Sequence, residues 1–102
     1  MSRTAQPEIS RLLRRNRGRI LRLAAKYGAR RVRLFGSVAR GEATAKSDVD
    51  FLVHMDRGRS YLDLVGLWQD LGELLGRKVD VITDRGISPY LRGRILREAT
   101  PL

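Results

Sequence analysis

Two short apolar runs, Val32–Phe35 and Val49–Val53, frame the part of this chain that most restricts its fold. A Gly36-Ser37 turn ends the first run, and two carboxylates, Asp48 and Asp50, open the second. Ten residues separate Ser37 from Asp48. Both runs have the length and character of strands. In a strand, residues i and i+2 share a face and lie roughly 6.5–7 Å apart. Asp48 and Asp50 therefore present two negative charges side by side, and such a pair needs a partner. A hard divalent cation such as Mg²⁺ suits it, taking carboxylate oxygens while keeping positions open for substrate phosphates. The Gly-Ser turn supplies what phosphates need: a backbone that allows close approach, N–H donors and a hydroxyl. Together the two elements describe a metal-dependent nucleotide site.

The flanking pattern places these runs in a small α/β (α+β) domain. Pro7 to Leu13 predicts a short helix with Ile9, Leu12 and Leu13 on one face. Asn16-Arg17-Gly18 predicts a break. Ile20, Leu23, Ala24 and Tyr27 fall at i, i+3, i+4 and i+7 of a second helix, which Gly28 stops. Ser37 to Arg40 fits one helical turn, and Glu42 to Ser47 a polar loop. After a turn at Asp56–Arg59, Ser60 caps a third long helix whose first turn carries Asp63. Leu64, Leu67, Trp68, Leu71, Leu74 and Leu75 give it a wide apolar stripe, and Gly76 ends it. Val79 to Ile82 is a further strand. Ser88-Pro89 starts a last helix with Leu91, Ile95 and Ala99 as its expected inner face, weakened by Gly93. The expectation is a sheet of three to four strands with helices packed mainly on one face, in one domain spanning residues 1–102.

Composition narrows the partners. The net charge is +10 and the pI near 11.3, so anionic partners are favoured over cationic ones. Lys26, Lys46 and Lys78 are the only lysines, and the arginines are scattered. Solvated surface charge is the better account of them, and RNA is allowed without being favoured. The chain has no cysteine, which excludes disulfides and thiolate metal sites. No apolar run approaches the roughly 20 residues that span a bilayer. The basic start lacks a signal-peptide core. A cytoplasmic protein is the default expectation.

Asp80 completes the chemistry. It sits inside Val79-Asp80-Val81-Ile82, where a carboxylate facing a core unpaired is costly. Alternation turns it away from Val79 and Val81. If its strand lies beside that of Asp48 and Asp50, three carboxylates converge as ligands for two metal ions acting on a phosphoryl group. An edge position, or pairing with an arginine, is the plainer explanation of Asp80 taken alone. Gly-Ser turns and Asp-x-Asp pairs are each common. Their ordered combination with a later strand Asp is far more specific.

That order, Phe35-Gly36-Ser37-Val38-Ala39-Arg40-Gly41 followed by Ser47-Asp48-Val49-Asp50-Phe51-Leu52-Val53, resembles the minimal nucleotidyltransferase family of the DNA polymerase beta-like superfamily. The likeness covers nearly the whole chain, without the additional domain of larger members. The resemblance implies a small polymerase-beta-like fold, ATP as substrate and two Mg²⁺ ions. It implies that Asp48, Asp50 and Asp80 are the metal-holding catalytic residues and that Gly36 and Ser37 hold the triphosphate. Arg40 is a phosphate contact or a surface ion pair with Glu42 or Asp48. Ser47 orients the carboxylates or ends the loop. His54 is a strand-end residue and Trp68 a core residue by the simpler account of each. The resemblance further implies an antitoxin that pairs, as a hetero-oligomer, with an all-helical HEPN-type toxin and transfers AMP to a toxin tyrosine. A binding-only antitoxin is the first alternative, and a free-standing enzyme acting on a small molecule or an RNA end is the second. A further expectation is an exposed apolar surface around Tyr90, Leu91, Ile95 and Leu96 that docks the partner.

Overall fold

The computed structural model describes residues 4–102. Its elements run α1 (Gln6–Arg15), α2 (Arg17–Lys26), β1 (Ala29–Phe35), α3 (Gly36–Ala39), β2 (Val49–Met55), α4 (Tyr61–Leu75), β3 (Val79–Thr83), a 3₁₀ turn (Asp84–Gly86), α5 (Pro89–Glu98) and β4 (Thr100–Pro101). The four strands form one mixed sheet in the order β3-β2-β1-β4. β1 is antiparallel to both β2 and β4, while β2 and β3 are parallel. Parallel neighbours need a crossover, which α4 supplies.

Local chemistry sets the element ends. Asn16 interrupts the two N-terminal helices with its amide nitrogen donating to Leu12 O at 2.9 Å. The α4 start is held by Asp63, whose Oδ2 accepts from the Ser60 backbone N–H at 2.9 Å. Its end is Gly76, in the left-handed conformation at φ 61°. The first strand begins at Ala29, earlier than the Val32 expected, because the pairing with β2 shifts register between Arg30 and Arg33. Arg31 at φ 53° absorbs the extra residue, a bulge that alternation could not disclose. β4, which no periodicity marks, is two residues long and carries Pro101 on the sheet edge, where a missing N–H is tolerated.

The core lies between α1, α2 and α4 and one face of the sheet. Ile9, Leu13, Ile20, Ala24, Leu67, Leu71 and Leu75 meet Val49, Phe51, Val53, Val79 and Val81 there. The alternate strand residues, Asp50, Leu52, His54, Asp80 and Ile82, take the other face. Of these Leu52 is fully buried, yet it stands apart from the main cluster.

The last helix departs from expectation. Leu91, Ile95 and Ala99 do not form a buried inner face: no residue of α5 is buried, and Leu91 is 48% exposed. The helix lies against α3 and β1, on the side away from the main core, so its apolar residues have little to pack on. No helix among the described residues is long and apolar enough to cross a membrane.

Candidate active site

The turn after β1 creates the first wall of the site. Gly36 has φ 73°, a left-handed conformation that glycine adopts without strain. A Cβ at that position would collide with Asp50 Oδ2, so the absence of a side chain lets the Gly-Ser backbone lie directly on the carboxylate. The chain then winds into α3, where Val38 is buried and anchors the turn.

The parallel pairing of β2 and β3 sets Asp50 directly opposite Asp80. Both residues are half-buried and share the non-core face. Burial pushes the Asp50 carboxyl up to about 6, and the nearby charges of Asp80 and Asp48 add to the shift while Arg40 opposes it. Asp48, just before β2, has a long ion pair to Lys78 Nζ at 3.9 Å. Among the described residues no ion pair joins Asp50 or Asp80. The Trp68 indole N–H donates to Val79 O at 2.8 Å and pins the β3 backbone beside Asp80. Trp68 also packs against the core, as the simpler account of it requires.

This donor set suits a hard divalent cation. It consists of carboxylate oxygens, undercompensated by protein cations, with the proton affinity of Asp50 raised by burial and then by its carboxylate neighbours. The three carboxylates do not close on a common point, however. Among the described residues, no three His, Cys, Asp or Glu side chains come close enough to hold one ion.

A cavity of about 290 Å³ opens beside Asp50. Phe35, Gly36, Ser37, Arg40 and Asp50 line one side, and Leu91, Arg94, Ile95 and Glu98 of α5 line the other. Asp48 and Asp80 lie outside this lining. Arg40 pairs with Glu42 at 3.1 Å and with Glu98 at 3.2 Å, not with Asp48. Ser47 serves the loop: its Oγ accepts from the Thr44 N–H at 2.9 Å. His54 Nδ1 lies 2.9 Å from Asp84 Oδ2, further along the same sheet face. The α5 residues are the part of the site that sequence reasoning missed. No local signal marks them, because their place follows from how the last helix folds back.

A four-stranded mixed sheet with a left-handed Gly-Ser turn against strand carboxylates is the polymerase-beta-like nucleotidyltransferase fold. Residues 19–102 match the nucleotidyltransferase domain family. A solved minimal nucleotidyltransferase structure superposes with a TM-score of 0.80 at 52% identity, covering 88% of this chain and 92% of that one. A Methanocaldococcus jannaschii protein named as a protein adenylyltransferase is 47% identical over 79% of this chain and 87% of its own length. The protein adenylyltransferase MntA of Thermococcus cleftensis is 37% identical over 74% of this chain and 77% of its own. A toxin–antitoxin crystal structure with AMP-PNP shares the fold at a TM-score of 0.72 and 24% identity, covering 84% of this chain and 71% of that one. The chain belongs to the minimal nucleotidyltransferase family, and its chemistry is nucleotidyl transfer.

Proposed function

We propose that this protein is a Mg²⁺-dependent protein adenylyltransferase that acts, as a single minimal domain, as the antitoxin of a helical HEPN-type toxin by transferring AMP from ATP to a toxin tyrosine. One observation carries the reading: the parallel strand pairing that sets Asp50 opposite Asp80, with the Gly36 turn lying directly on Asp50. Relatives named as protein adenylyltransferases, at 47% and 37% identity, support the acceptor class. A toxin–antitoxin structure of the same fold supports the partner class.

In this reading the Gly36-Ser37 turn holds the triphosphate through backbone N–H groups and the Ser37 hydroxyl. Arg40 faces the same cavity and neutralises phosphate charge. Asp48 and Asp50 would hold Mg²⁺ against the triphosphate, and Asp80 would hold a second ion on the acceptor side. Bound there, the cations supply charge stabilisation at the attacking and leaving oxygens. The acceptor tyrosine oxygen bonds to the α-phosphorus, the bond from that phosphorus to the bridging oxygen breaks, and pyrophosphate leaves. Asp80 takes the phenolic proton, directly or through water. The acceptor tyrosine comes from the partner and approaches Asp80, which lies outside the lining of the cavity.

The test is incubation with a candidate helical HEPN-type toxin, Mg²⁺ and ATP, followed by intact-mass spectrometry. The expected result is one or more AMP-sized increments on the partner, lost in Asp80→Ala while ATP binding weakens less. An unmodified partner, under conditions where ATP binds, would establish the binding-only antitoxin instead. Retained transfer in Asp80→Ala would remove Asp80 from the ligand set.

A further inference from the structure

The cavity beside Asp50 is closed on its α5 side by an anion that belongs to the protein. Glu98, whose side chain is 19% exposed, takes Arg40 Nη1 at 3.2 Å on both carboxylate oxygens. Arg94 Nε reaches Glu98 Oε1 at 3.3 Å. Two guanidiniums from different elements, α3's flank and α5, thus meet on one carboxylate oxygen. Both arginines and Glu98 line the same cavity as Gly36, Ser37 and Asp50. Guanidiniums spaced to share one anionic oxygen are spaced equally well for a phosphate oxygen, which their forked donors match. Two like charges held so close also require an anion between them.

Resting on the nucleotidyltransferase reading of this site, we propose that Arg94 joins Arg40 in gripping the triphosphate, and that Glu98 is an internal anion that competes with nucleotide for both arginines. Entering phosphates take over the two guanidiniums and release Glu98. The exchange replaces a single carboxylate by a more highly charged group, so it runs toward bound nucleotide. It also loosens the ties between Glu98 and Arg40 that hold α5 to α3. Nucleotide occupancy and the position of α5 are coupled through one residue.

Ion pairs whose arginines are as open to solvent as Arg40 and Arg94 contribute about 0–1 kcal/mol, so removing the competitor is expected to tighten binding about two- to fivefold. Losing a charged phosphate contact on a partly exposed arginine is expected to weaken it about five- to tenfold. Calorimetry with Mg²⁺ and α,β-methylene-ATP, which resists cleavage at the reacting bond, measures both. Glu98→Gln, which keeps the side-chain shape, should bind more tightly than wild type. Arg94→Ala should bind more weakly. The Arg94→Ala deficit should shrink from the triphosphate to the diphosphate analogue and vanish with AMP, a trend that a merely structural role would not produce. Equal or weaker binding by Glu98→Gln, with wild type binding normally, overturns the inference alone and leaves Glu98 as a tether for α5. An Arg94→Ala deficit independent of phosphate number overturns the grip. Absence of binding in both wild type and Glu98→Gln overturns the nucleotide reading of the site, and the inference with it.

Discussion

The two faces of the β2–β3 strand pair are built from alternate residues of the same five-residue stretches, yet they do opposite work. Val49, Phe51, Val53, Val79 and Val81 are buried in one core with residues of α1, α2 and α4 and hold the molecule together. Asp50 and Asp80, one position out of phase, are half-buried and carry no ion pair among the described residues. The covers differ in the same sense. α4 sinks Leu67, Leu71 and Leu75 into the core, whereas no residue of α5 is buried. Stability is thus concentrated on one side of the sheet, and the other side is left free to hold uncompensated charge. Because the strand period is two, a single pairing register enforces both outcomes at once.

The largest break in that comparison is on the core face. Phe51 is fully buried, and Phe51→Ala is expected to cost about 3–5 kcal/mol, a large part of the stability of a domain this size. Chemical denaturation should show the loss as a midpoint shift or as failure to fold. Gly36→Ala comes next. It places a Cβ in a left-handed backbone, at about 1–2 kcal/mol, and drives that atom into Asp50. A moderate drop in stability with complete loss of nucleotide binding is the expected pair of results. A variant that binds ATP normally would show that the close approach of turn and carboxylate is dispensable.

The carboxylate face should respond with the opposite sign. Asp50 has its folded-state affinity for a proton raised, from the ordinary 3.8 to about 6. The folded state therefore holds this proton more tightly than the unfolded chain does. Its contribution to stability is fully present below pH 3.8, falls as the pH rises through 6, and is absent above that. Asp50→Asn removes the penalty of ionisation and should stabilise the metal-free protein at pH 7.5. The gain is about 1 kcal/mol once solvent screening of a half-exposed group is allowed for. Thermal unfolding in EDTA at pH 7.5 and pH 3.5 measures it, and the gain should vanish at the lower value. If these carboxylates hold Mg²⁺ as proposed, adding the cation should reverse the order, because it would stabilise only the wild-type set. A wild type more stable than Asp50→Asn in EDTA at pH 7.5 would mean that the face is held by a structural ion pair.

Much of this arrangement is legible in the amino-acid sequence. Alternation places Asp80 away from Val79 and Val81, and the leucine stripe from Leu64 to Leu75 marks α4 as the core helix. Gly-Ser after one strand and Asp-x-Asp at the start of the next mark the candidate site. What is not legible depends on contacts between distant segments. The bulge at Arg31, the two-residue β4 and the α5 wall of the cavity follow from pairing and docking that leave no local period. Arg94 and Glu98 lie on a helix whose own pattern suggests a core face at Leu91, Ile95 and Ala99. In the fold that helix turns Leu91 and Ile95 toward the cavity lip instead.

The smallest expected effect on stability is also the sharpest test of the division between faces. Tyr90 is 97% exposed, Leu91 48% and Leu96 37%, on a helix that contributes no buried residue. Substitutions at such positions ordinarily change stability by no more than about 0.5 kcal/mol. Leu91→Asp and Leu96→Asp should therefore leave the unfolding midpoint almost unmoved. If α5 is the surface that meets the helical partner, the same two changes should abolish co-purification with it, since a charge at the centre of an apolar contact is left unpaired. The two variants can also be told apart. Leu91 lines the cavity and Leu96 does not, so, if the cavity holds the triphosphate as proposed, Leu91→Asp should additionally weaken nucleotide binding by placing a negative charge beside it. Leu96→Asp should lose the partner while binding nucleotide as wild type does. A destabilised Leu96→Asp would mean that α5 belongs to the core after all, and a stable one that still captures the partner would move the interface elsewhere on the chain.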